Sequence, residues 1–267
     1  MIVGAGVNVL HIYNKFCTTE DEKDNKLFYG VELECYNKHS HGAAVQIKSV
    51  LDLENAVYGH AILKPDCGFE IVTVPSTLRY HKEVLWNKFF SGVSEHYSGG
   101  NGCGLHIHIS RDAMEPLHLA KVICFINEAI NTNFLTGIAG RSVGSGASWC
   151  AQVTNIRRNV DGMLNSTYAS KSHAMQISGR NNGKTAELRI FQSDPTKQGL
   201  FQALEFTDAV IKYCFEHGEL EKQMSYLEFI KWFIEEGKKN EYPYLNTNLI
   251  RLGYCLPEVT KPKELAA

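Results

Sequence analysis

LFYGVELECY, residues 27–36, reads as a β-strand with two unlike faces. Side chains at i and i+2 of a strand share a face, so Glu32 and Glu34 point one way and Leu33, between them, points the other. Three more segments repeat the pattern. GFEIVTVP (68–75) sets Glu70 between Phe69 and Ile71, GLHIHIS (104–110) puts His106 and His108 on one side of Ile107, and TAELRIF (185–191) puts Glu187 and Arg189 on one side of Leu188. Each strand therefore offers carboxylates, imidazoles or a guanidinium on one face and apolar groups on the other.

A Glu-x-Glu pair alone is most simply a solvated face, a His-x-His pair a set of satisfied histidines, and Glu-x-Arg a cross-strand ion pair. The four together are harder to read that way. Buried, the charges would need a counter-ion, and a plain solvent face would carry lysine, which these strands nearly lack. A divalent cation meets both objections. Four glutamates with one or two histidines form a mainly hard-oxygen set, which suits magnesium or manganese better than zinc. Magnesium in such sites commonly holds substrate phosphates, and Arg189 and Arg141 would then neutralise charge on a transferred phosphoryl group.

Between these strands the periodicity predicts helices over residues 42–57, 77–94, 116–136, 198–217 and 225–238. Pro116 stands where a first helical turn tolerates it. Short strands are expected at HAILK (60–64) and HAMQIS (173–178), the latter joined to TAELRIF by the turn GRNNGK. GIAGRSVGSGAS (137–148) is expected to be a mobile loop and a lid over the site. The fold class is α+β, a curved antiparallel or mixed sheet with helices on one face. Residues 1–26 are expected to be an N-terminal arm, 27–217 the catalytic core, and 218–267 a helical extension of the same domain.

The composition narrows the function. At 267 residues the chain is long enough for a sizeable core, and Lys+Arg 27 against Asp+Glu 29 leaves a net charge of -2. That balance argues against a broad nucleic-acid footprint. No apolar run reaches the length of a membrane span, and the N-terminus lacks the basic start of a signal peptide, so a cytoplasmic protein is expected. The eight cysteines contain no CxxC pair and read as buried thiols of a reducing compartment. Cys103, beside the His-x-His strand, reads as a packed thiol rather than a nucleophile. GAGVNV (4–9) lacks the third glycine of a dinucleotide site, and GRSVGSGAS lacks the ending of a P-loop. Lys184, in the expected turn, is a candidate to reach a phosphate.

GVELE, PDCGFEIVT, CGLHIHIS and TAELRIF, in this order, resemble the motifs of the amidoligase family of phages and bacterial gene neighbourhoods, distant relatives of glutamine synthetase and glutamate–cysteine ligase. The likeness runs from about Leu27 to Phe215. It implies a glutamine-synthetase-like catalytic fold and an ATP- and magnesium-dependent ligase, with manganese an alternative ion, that joins a carboxylate to an amine through an acyl phosphate. By motif, Glu32, His106 and Glu187 would hold one metal and Glu34 and Glu70 a second. His108 would contact a phosphate, Arg189 and Arg141 the γ-phosphate or the acyl phosphate, and Asp66 would orient the amine. Two positions depart from the family pattern. Asp66-Cys67-Gly68 stands where the family has Asp-Gly-Ser, and Gln192-Ser193-Asp194 where it often has Arg-Gly-Thr. A self-contained site open to a peptide or protein substrate is expected. The competing readings are a zinc- or manganese-dependent hydrolase built on the His-x-His strand, and a non-catalytic assembly protein on a ligase fold.

Overall fold

The computed structural model describes residues 17–22, 26–38, 61–66, 68–100, 102–165, 172–177, 184–217 and 224–255. The expected helix over 42–57 and most of the GRNNGK turn lie outside them. The strands are β1 (Tyr29–Asn37), β2 (Ala61–Asp66), β3 (Gly68–Thr73), β4 (Tyr97–Ser98), β5 (Gly104–Ser110), β6 (Met175–Ile177) and β7 (Thr185–Gln192). They form one sheet in the order β2-β3-β1-β5-β7-β6, with β4 pairing the end of β1. Every strand pairing is antiparallel. The protein is thus an α+β fold on an open antiparallel sheet.

Alternation sets the two faces of that sheet. Val31, Leu33 and Cys35 of β1, Leu105 and Ile107 of β5 and Ala186 of β7 are at most 1% exposed and enter one hydrophobic core with the helices. The core is aromatic-rich, with Trp86, Phe125, Phe134, Phe206 and Phe229 among its fully buried side chains. Each such ring contributes about 1.5–3 kcal/mol of burial. No single helix among the described residues is long and apolar enough to cross a membrane.

The helices are α1 (Leu78–Tyr80), α2 (Pro116–Asn127), α3 (Thr132–Ala139), α4 (Ile156–Leu164), α5 (Lys197–Glu216), α6 (Tyr226–Glu235) and α7 (Pro243–Arg251). Two departures from the sequence reading have a visible cause. The helix expected over 77–94 is broken into α1 and the π-helical turns His81–Leu85 and Phe89–Val93, the second carrying Gly92 at φ 145°. The helix expected over 116–136 bends by 56° between α2 and α3. At that bend side-chain amides take over the backbone carbonyls. Asn131 Nδ2 donates to Phe125 O at 2.8 Å, and Gln152 Nε2 to Ile126 O at 2.9 Å. Helix α4 and the Pro-initiated α7 were not among the expected elements.

Candidate metal centre on the open face of the sheet

Register brings the polar residues of the four strands side by side. Glu34 of β1 lies opposite Glu70 of β3, and Glu32 lies opposite His106 of β5. His108 lies opposite Glu187 of β7, which in turn faces Gln176 of β6. The result is a continuous polar stripe across the sheet, on the face away from Leu33, Ile107 and Leu188.

At its centre, Glu32, His108 and Glu187 each offer a ligand atom, and these atoms all lie within 4.8 Å of one another. His108 Nε2 is 3.1 Å from Glu32 Oε1. That contact has the distance of an ion pair but not the alignment of a hydrogen bond, and Nε2 is buried with no hydrogen-bond partner among the described residues. His106 Nδ1 approaches Glu32 Oε2 at 3.4 Å and Glu187 Oε1 at 3.7 Å. Glu187 is only 4% exposed. Its Oε1 accepts from Arg189 and its Oε2 from Gln176 Nε2 at 2.5 Å.

Carboxylate and imidazole hold each other's charge at this site. Burial pushes the Glu32 carboxyl up, but the close contacts and charges of His106 and His108 outweigh it and hold the group well below the usual carboxylate range. Burial pushes His108 down, and this is overcome by its contact with Glu32 and by the charges of Glu187 and Glu32, so the imidazole is raised. A buried ring nitrogen without a hydrogen-bond partner, beside two carboxylates from neighbouring strands, fits a hard divalent cation with mixed oxygen and nitrogen ligands.

The other sequence-derived candidates sit around this centre in distinct ways. Glu34 is held at one end of the stripe, its Oε2 accepting from Gly104 N at 2.5 Å. A Cβ on Gly104 would stand 2.7 Å from His106 Nε2, so a side chain there would displace that imidazole. Glu70 is half-buried beside Glu34, outside the Glu32, His108 and Glu187 cluster. His106, expected as a ligand, stands beside the three clustered groups, while His108, expected at a phosphate, is one of them. Arg141 turns its Nε to Ile190 O at 2.9 Å and an Nη to Arg189 O. Lys184 is exposed just ahead of β7. Asp66 ends β2 with its backbone opposite Gly68. Gln176 was not singled out by sequence. It shows strand alternation between Met175 and Ile177, but only the β6–β7 register reveals that it meets Glu187.

Beyond the stripe, a cleft of about 770 Å³ opens between the α2–α3 bend and the Gly-Ser loop, lined by Glu128, Thr132, Ser145, Gln152 and Arg157. None of Glu32, His108 and Glu187 borders it, so the loop once expected as a lid lines a separate hollow.

No family model matches the chain, and no curated protein does. Among solved structures the chain is similar to the ligase PafA, determined in complex with the prokaryotic ubiquitin-like protein Pup, with 9% identity and a TM-score of 0.33. The match covers 70% of this chain and 46% of that one, so the chain spans less than half of that neighbour's length. A likeness of that degree carries no argument about fold or activity.

Proposed function

We propose that this protein is an ATP-dependent ligase that joins a carboxylate to an amine on a glutamine-synthetase-like sheet, as the resemblance to amidoligases implies. The observation that carries the reading is the cluster of Glu32, His108 and Glu187 from three adjacent strands, with His108 Nε2 buried and lacking a hydrogen-bond partner. In this reading those three residues hold magnesium or manganese, His106 and Arg189 flank them, and Glu34 and Glu70 form the neighbouring acidic pair. When bound, the cation supplies charge compensation for the phosphoryl group in transfer.

The acid substrate's carboxylate oxygen takes the γ-phosphoryl group of ATP and ADP leaves. The amine nitrogen then attacks the acyl carbon and gives up a proton as inorganic phosphate leaves, completing the amide. Arg189 would meet the transferred charge, since it lies beside both Glu187 and His106. Arg141 has two donors committed to backbone carbonyls and a further contact with Cys150, which makes it a support for Arg189. Asp66 is the candidate for orienting the amine. A peptide or protein side chain is the substrate class that an open, one-sided sheet would accept.

Calorimetry with Mg²⁺ and a non-hydrolysable ATP analogue tests the reading. Nucleotide binding that requires the cation and is lost in Glu32→Ala, with the fold retained, is the expected result. No nucleotide binding at saturating Mg²⁺ would sink it. One tightly held zinc found by metal analysis would favour a hydrolase on the same strands.

A further inference from the structure

We propose that Gln176 is a positioning residue that fixes the carboxylate plane of Glu187 for metal ligation, an inference that rests on the metal reading above. Glu187 is the most enclosed carboxylate of the stripe, yet a glutamate has three side-chain torsions and the last is soft. Two hydrogen bonds restrain it. Arg189 holds Oε1 but comes from the same strand two residues on, so it moves with Glu187. Gln176 Nε2 holds Oε2 at 2.5 Å and comes from the neighbouring strand. It is therefore the one that registers the carboxylate against the rest of the sheet.

The neighbourhood keeps Gln176 in place. Met175 and Ile177 on either side are 0% and 2% exposed and anchor β6 in the core, which leaves the amide pointing to the opposite face. The strand is also pinned at its start, where Ala174 O accepts from Arg189 N at 2.9 Å and Ala174 N donates to Ala151 O at 2.8 Å. A glutamate oxygen can accept twice, so one hydrogen bond on each oxygen leaves lone pairs for a cation. The chemistry of the donor matters equally. A lysine at this position would neutralise Glu187 and compete with the cation, whereas an amide orients the carboxylate without adding charge. Partners of metal ligands that act in this way typically govern about 10–100-fold in metal affinity.

The test is a titration with Mn²⁺ alone, without nucleotide, followed by calorimetry and by the Mn²⁺ electron paramagnetic resonance signal. Gln176→Met, with an unchanged circular dichroism spectrum and melting curve, is expected to bind Mn²⁺ about 10–100-fold more weakly than the parent protein. Should that variant fold poorly, Gln176→Ala removes the same donor with less bulk and is expected to show the same loss. Met175→Leu, which alters β6 on its core side, is expected to leave the affinity unchanged. Parent-like affinity in the folded Gln176 variants would overturn the role of Gln176 alone. Equal weakening by Met175→Leu would assign the effect to the strand and also overturn it. Absence of Mn²⁺ binding in the parent protein would instead overturn the metal reading, and this inference with it.

Discussion

His81, fully buried under the sheet, is held in its neutral form by two partners that leave no choice of tautomer. Its Nε2–H donates to Tyr29 O at 2.9 Å, and its Nδ1 accepts from Trp86 Nε1 at 3.1 Å. Burial lowers its pKa to about 4, against a smaller upward pull from the Tyr29 carbonyl. The unfolded chain, with His81 near 6.5, therefore binds the proton first as pH falls. Stability from this group is complete above about pH 6.5, is lost between there and pH 4, and amounts to about 3 kcal/mol over the window. Denaturant unfolding of the parent protein and of His81→Gln, compared at several pH values, should show the steeper loss in the parent. Parallel curves would mean that His81 does not supply the slope. The ligand candidates are legible from sequence in a way that His81 is not, because alternation within one strand assigns Glu32, His106, His108 and Glu187 to a face without knowledge of the fold. The partners of His81 lie 5 and 52 positions away, in a segment whose helix is distorted, and no local pattern connects them.

On β7 simple alternation fails at one point, and an arginine from another element supports the exception. Alternation would carry Glu187, Arg189 and Phe191 to one face, yet Ile190 and Phe191 are both buried in the core. The register shifts between Leu105 and Ile107 of β5, so that Leu105 meets Phe191 while Ile107 meets Leu188. Arg141, just beyond the Gly140 cap of α3, donates to the carbonyls of both Arg189 and Ile190 at this irregularity. Replacing it by methionine keeps much of the apolar stem and strips two charged donors from buried carbonyls. The expected cost is about 2–4 kcal/mol in denaturant unfolding, with Arg141→Lys recovering part of it. An Arg141→Met protein as stable as the parent would show that the bulge holds itself. Six of the seven strands among the described residues were readable because each is a short run rich in β-formers, and only the two-residue β4 was not. The bulge was not, since an extra residue in a ladder is defined by its partner strand. The α2–α3 bend escaped for a similar reason: the apolar spacing continues through it, and the amides that end the helix at Asn131 and Gln152 act on carbonyls of other turns.

Across the whole molecule, the sheet and the helical layer are joined at a buried carboxylate that lies behind the polar stripe. Asp208 on α5 accepts from Tyr29 OH of β1 and from Tyr242 OH, just ahead of α7, each at 2.6 Å. Lys212 Nζ lies 3.1 Å from its second oxygen and 2.5 Å from Glu241. Burial, together with the Asp208 charge, drives both phenols well above their ordinary range, so they remain donors at any pH at which the protein folds. Tyr29 is three residues before Glu32 on the same strand, so the network that fixes the helices also fixes the start of the strand bearing Glu32. Asp208→Ala would leave two buried phenols without acceptors and is expected to cost about 3–5 kcal/mol. Tyr242→Phe removes one donor and leaves the carboxylate its other partners, so the expected loss is smaller, about 1.5–3 kcal/mol. Native-state hydrogen exchange separates a joint from a local bond. If Asp208 ties the two layers together, Asp208→Ala lowers the protection of β1 amides and α7 amides alike, whereas loss confined to α7 would reduce the network to a helix–helix contact.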